Sequence, residues 1–165
     1  MKKTRFNLQG LLAPVVTLIF GTVFISAGLL EQGRKDTIIT VTVDAKNITQ
    51  DNILDYVSLS DNQGGSGSSP TDYTTPVDPG KRITWEGKTL DPASEQKIII
   101  TRIRVKGDGD PAVLKKRSYA GNGRVRGNAR NANSGVDAYN ITFKIVGGQR
   151  QREFTFDPKI KIKSS

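Results

Sequence analysis

The residues of this chain that could do chemistry are carboxylates, arginines and lysines, because the sequence has no histidine and no cysteine. Without histidine there is no Ser-His-Asp triad, no imidazole base and no imidazole ligand for zinc, copper or haem. Without cysteine there is no thiolate nucleophile, no disulfide and no lipid-modified anchor cysteine. Calcium is the metal to consider, at Gly107-Asp108-Gly109-Asp110-Pro111. A calcium loop, however, needs further oxygen ligands at set spacing and a bidentate Glu, so the segment reads as a turn. Glycoside hydrolysis needs two placed acids, and no pair is marked by its spacing. The chain therefore reads as non-enzymatic, with no cofactor.

Anion recognition has more candidates. Residues 115–135 form a basic, glycine- and asparagine-rich run in which Arg124, Arg126 and Arg130 could grip phosphate, sulfate or acidic protein, or serve only as solvated charge. Gly121-Asn122-Gly123 begins like a dinucleotide fingerprint, but Gly127 falls one position late and no helical pattern follows. The formal charge of +9 is divided unevenly. Residues 36–95 carry ten acidic groups against Lys46, Lys81, Arg82 and Lys88, a balance of −6. Residues 96–165 carry sixteen basic groups against Asp108, Asp110, Asp137, Glu153 and Asp157, a balance of +11. The second half should attract anionic surfaces.

The elements that must position these cations read as strands. Residues 37–43 place Ile39, Val41 and Val43 on one face. Residues 47–59 read as a helical turn, capped by Thr49, followed by a strand over 56–60. Residues 64–70, rich in glycine and serine, read as a flexible surface loop. Asp78-Pro79-Gly80 is turn chemistry leading into a strand with Ile83 and Trp85 on one face, the lone Trp reading as a core anchor. In residues 97–106, strict alternation groups Ile99, Thr101, Ile103 and Val105 against Ile98, Ile100, Arg102 and Arg104. Residues 115–135 are expected to be a long exposed loop. A closing hairpin follows, with Tyr139, Ile141, Phe143 and Ile145 on one face of its first strand. Its second strand sets Phe154, Phe156, Ile160 and Ile162 against Lys159, Lys161 and Lys163. Pro158 cannot donate to a ladder, which predicts an edge or a bulge there.

Ahead of all this, residues 11–30 carry no charge. Twenty helical residues span roughly 30 Å, the thickness of a bilayer core. The stretch reads as a transmembrane helix formed by Leu11, Leu12, Val15, Val16, Leu18, Ile19, Phe20, Val23, Phe24, Ile25, Leu29 and Leu30. Lys2, Lys3 and Arg5 predict a cytoplasmic N-terminus. The alternative is a cleaved signal peptide ending near Ile25-Ser26-Ala27.

The patterns Tyr139-Asn-Ile-Thr-Phe-Lys-Ile and Phe154-Thr-Phe-Asp-Pro-Lys-Ile-Lys-Ile resemble the closing hairpin of the bacterial AidA/PixA inclusion-body family. Val77-Asp-Pro-Gly-Lys-Arg-Ile-Thr-Trp85 resembles a strand of cupredoxin-like sandwiches. The resemblance implies an all-β sandwich of cupredoxin or immunoglobulin type, but not copper, whose ligands are missing. Six to eight strands support that fold independently.

The expectation is thus an antiparallel β-sandwich over residues 36–165, preceded over 1–35 by a cytoplasmic stub, a transmembrane helix and a tether. It would sit in a bacterial inner membrane with its domain in the periplasm. It would act as an accessory or structural subunit of a membrane protein complex. Arg102, Arg104, Lys144, Lys159, Lys161 and Lys163 would face acidic protein or lipid head groups, and nucleic acid is not an expected partner. The alternative is a secreted or surface module binding an anionic glycan or polymer through Arg124, Arg126 and Arg130.

Overall fold

Alternation decides the first strand. In β1 (Thr37–Val43), Thr37, Ile39, Val41 and Val43 are buried while Ile38, Thr40 and Thr42 look outward. The computed structural model describes residues 33–148 and 151–164, and among them it contains ten strands and one 3-10 turn, Ile53–Asp55. Thr49 does not cap that turn. Its N–H donates to the Asn52 side chain instead, at 2.6 Å.

Strand β1 lies antiparallel to β2 (Val57–Asp61) and parallel to β4 (Arg82–Thr89), which in turn pairs antiparallel with β7 (Val125–Asn128). The first sheet thus runs β2-β1-β4-β7. The second runs β3 (Thr74–Val77), β10 (Lys159–Ile162), β8 (Val136–Val146), β5 (Lys97–Val105), β6 (Ser118–Gly123), with β9 (Arg152–Phe156) also beside β8. Both sheets are mixed, because β1/β4 and β3/β10 are parallel pairs. The expected purely antiparallel arrangement fails for a topological reason. After β2 the chain crosses to the second sheet as β3 before returning as β4, which brings β4 back in the direction of β1.

The core lies between the sheets. Ile39, Val41, Ile83 and Trp85 of the first are fully buried, as are Ile100, Ile103, Tyr139, Ile141, Phe143 and Ile160 of the second. Each such side chain contributes roughly 1.5–3 kcal/mol by leaving water. Trp85 Nε1 donates to Tyr139 Oη at 3.2 Å, so the largest apolar group has its one polar atom satisfied across the sheets. Phe143 stacks on Phe154 with ring centroids 5.4 Å apart.

Two strands replace the loop expected over 115–135. In and beyond β7 the inward positions are Val125, Gly127 and Ala129, and the outward ones are Arg124, Arg126 and Asn128. The alternation is real but is written in small residues. A Cβ on Gly127 would stand 3.0 Å from the Tyr119 ring and 3.1 Å from Trp85, so glycine is what lets these rings close over the strand. The segment over 64–70 is likewise tied down. Asp61 accepts the Gln63 and Gly65 N–H groups, Ser66 pairs with Thr74, and Gly67 lies against the Tyr73 backbone.

Strand β5 carries a bulge. Ile100 pairs with Phe143 but Arg102 with Thr142, leaving Thr101 as the extra residue. The buried set is therefore Ile98, Ile100, Ile103 and Val105, and strict alternation assigned Ile98 and Ile100 to the wrong side. Pro158 introduces no such shift. Ile141↔Phe156 and Ala138↔Lys159 belong to one continuous register, and Tyr139 N–H donates to the Pro158 carbonyl at 3.1 Å.

Candidate functional site

The outward face of the second sheet gathers most of the cations expected to meet an anionic partner. Arg102 and Arg104 project from β5 opposite Thr142 and Asn140 of β8, and Lys159 and Lys161 project from β10 opposite Ala138 and Val136. With strands about 4.8 Å apart and a rise of about 3.3 Å per residue, the Cα atoms of Arg104 and Lys161 are about 16 Å apart across β8. All belong to one face because the bulge at Thr101 turns both arginines outward.

These cations are not equivalent. Lys144 pairs with Glu153 at 3.6 Å, Lys159 with Asp72 at 3.7 Å, and Lys106 with Asp157 at 2.6 Å. Lys163, beyond the end of β10, is held by Asp78 at 3.7 Å and by Gln63 at 2.6 Å. Arg102, Arg104 and Lys161 are exposed and have no ion-pair partner among the described residues. Val136, 59% exposed, stands directly opposite Lys161. An apolar side chain among uncompensated cations is a surface that an acidic protein can cover.

Arg124, Arg126 and Arg130 are elsewhere. Arg126 projects from the other face of the molecule, opposite Thr84 on β4. Arg124 pairs with Glu86 at 2.8 Å, and Arg130 is half-buried past the far end of β7. In line with Arg126, past Thr84, lies the exposed Ile38, and the strands farther across carry hydroxyls, with Thr40 opposite Ser60 and Thr42 opposite Ser58.

A cleft of about 620 Å3 at one end of the molecule brings Asp44, Asp91 and Arg152 together. Two carboxylates are the groups a hydrolase uses, and here each is engaged by a donor. The Asn47 side chain donates to Asp44 at 2.7 Å and holds its carboxyl below the usual range, whereas a general acid needs a raised one. Asp91 accepts the Ala93 N–H at 2.9 Å, and Arg152 is occupied by the carbonyls of Ala45 and Ile48. Asp108 and Asp110 are exposed, and no group of three or more His, Cys, Asp or Glu among the described residues could hold a metal.

Two carboxylates matter structurally. Asp137 is 6% exposed and accepts three backbone N–H groups, from Ala112 at 2.7 Å and from Val113 and Leu114 at 2.9 Å each. Its parity with Tyr139 and Ile141 was the available signal, since alternation alone puts it inside, where a carboxylate needs donors. Asp61 accepts the Tyr73 hydroxyl at 3.1 Å. Partial burial, then the Asp61 charge, push that phenol up to about 12.

The expected membrane helix, residues 11–30, lies outside the described residues. Among those described, no helix is long and apolar enough to cross a membrane. The reading of a single-span protein of the inner membrane, touching lipid head groups and built into a membrane complex, is corrected on that finding. The described chain spends its large apolar residues on the inward faces of strands, leaving only Ile38, Leu54, Leu90 and Val136 exposed among them.

The fold and these faces define an all-β protein of two mixed sheets. No family model and no curated protein matches the chain. It is similar to the crystal structure of an inclusion body protein, PixA, from Burkholderia cenocepacia. The identity is 12%, the coverage 82% of this chain and 99% of that one, and the TM-score 0.49. This is the family that the closing strands resemble. A likeness at 12% identity carries no activity, ligand or partner across.

Proposed function

We propose that this chain is a non-enzymatic structural or accessory subunit, residues 36–165 forming a β-sandwich whose second sheet docks on an acidic surface of a partner protein. The observation that carries the reading is the set of three cations without ion-pair partners among the described residues, Arg102, Arg104 and Lys161, on a face where Lys144 and Lys159 have carboxylate partners. Exposed Val136 at their edge adds apolar area to the contact. Like charges held on one rigid sheet accelerate encounter with an acidic partner and fix its register. The non-enzymatic part rests on the absence of His and Cys from the sequence and on carboxylates already committed to N–H donors.

The test is co-purification from the native source. Replacing Arg102, Arg104 and Lys161 together with Glu should release an associated acidic chain that an Arg126→Glu control retains. Retention by both proteins, or release by both, contradicts the assignment.

A further inference from the structure

Strand β4 outruns its neighbour. β7 pairs with it only from Arg82↔Asn128 to Trp85↔Val125. β5 likewise meets β6 only from Ile100↔Gly123 onward. Residues 86–88 and 97–99 therefore keep ladder partners on one side, in β1 and β8, and line a cleft of about 500 Å3 on the other. Its floor is the point where the two sheets touch. A Cβ on Gly87 would stand 2.4 Å from the Ile98 side chain, so only glycine permits this approach.

The cleft has unspent backbone and unbalanced charge. Ala129 N–H donates to the Lys81 carbonyl at 2.9 Å, which shows that odd-numbered residues of β4 turn their backbone groups toward the β7 side. Gly87 and Thr89 thus present N–H and C=O groups to the gap where β7 is missing. Lys88, Lys97 and Arg124 line the same gap against the single carboxylate of Glu86. Arg124 gives its Nε to Glu86 at 2.8 Å. Lys88 and Lys97 have no ion-pair partner among the described residues. No aromatic side chain lines the cleft for a sugar ring to stack on.

We propose that this notch binds an extended acidic peptide by strand addition. The peptide would continue the path of β7 along β4, bonding to Gly87 and Thr89 through its main chain. Its carboxylates would meet Lys88, Lys97 and the remaining N–H groups of Arg124. A free strand edge supplies affinity through main-chain bonds, and the flanking charges supply specificity. The site shares no residue with the docking face of the second sheet and stands or falls separately from it.

The test uses the full chain and a blocked ten-residue peptide of alternating Glu and Thr, with a Lys-Thr peptide as control. The Glu-Thr peptide should bind and slow hydrogen exchange at the Gly87 and Thr89 amides. Lys88→Glu with Lys97→Glu should weaken binding about tenfold or more. Arg126→Glu, and the triple reversal of Arg102, Arg104 and Lys161, should change it less than about twofold. Any of four results overturns the proposal: no binding, equal binding of the Lys-Thr peptide, binding without protection of those two amides, or equal weakening by the Arg126 control. A sulfated oligosaccharide that binds where the peptide does not would also overturn it.

Discussion

The two outward faces of this protein differ in what surrounds their unpaired cations. On the first sheet, Arg124 is matched by Glu86 and the centre is hydroxyl, with Thr40 facing Ser60 and Thr42 facing Ser58. On the second, Arg102, Arg104 and Lys161 have no ion-pair partner among the described residues, and Val136 beside Lys161 is exposed. The division of charge along the sequence has become a division between sheets. β1, β2 and β4 come from the acidic half, and β5, β6, β8, β9 and β10 from the basic half. Only β3 and β7 exchange sides. The first face also keeps Arg82, Lys88 and Arg126 without ion-pair partners among the described residues, so the second differs in setting its cations beside the more exposed apolar residue, Val136 at 59% against Ile38 at 43%.

The sharpest way to break that comparison is to remove what holds the faces back to back. Trp85→Ala takes out a fully buried ring and its bond to Tyr139, and should cost about 3–5 kcal/mol in urea unfolding. Asp137→Ala leaves three backbone donors without their carboxylate, and should cost about 3 kcal/mol. Asp137→Asn, keeping one acceptor oxygen, should lose less.

A smaller effect separates the faces themselves. Reversing Arg102, Arg104 and Lys161 should shift stability by less than about 0.5 kcal/mol, since no ion pair among the described residues depends on them. Arg124→Ala on the first sheet should cost up to about 0.5 kcal/mol, the worth of an exposed pair. A larger loss at the triple site than at Trp85 would mean that the second face is structural rather than free.

On the alkaline side, Tyr73 should make stability depend on pH. Tyr73 is neutral in the fold until about pH 12, whereas an unfolded tyrosine ionises near 10. The native state then holds more protons than the unfolded one between those values, so this contribution is intact below pH 10 and is lost as pH rises toward 12. Tyr73→Phe should flatten that part of the stability profile.

How much of this was legible in the sequence depended on residue size. The closing hairpin was plain because Tyr139, Ile141, Phe143, Phe154 and Phe156 are large, and alternation among large residues is loud. β7 obeys the same alternation with Gly127 and Ala129 inside, and so passed for a loop. The bulge at Thr101 was invisible because nothing local marks which residue of a β-branched run is extra. The cations of the proposed docking face could be named from the sequence as outward residues of strands. Which of them lack an ion-pair partner was not readable, because it depends on which carboxylates from distant segments, such as Asp72 and Asp157, come near.

The central claim is that the second face is the docking face, and a photo-reactive side chain placed at Val136, with the same probe at Thr40 as its counterpart, tests it most directly. Irradiation in the native source should give one discrete adduct from position 136, with a partner carrying Asp and Glu at the linked site, and none from position 40. The same adduct from both positions, or an adduct from position 40 alone, would contradict the account.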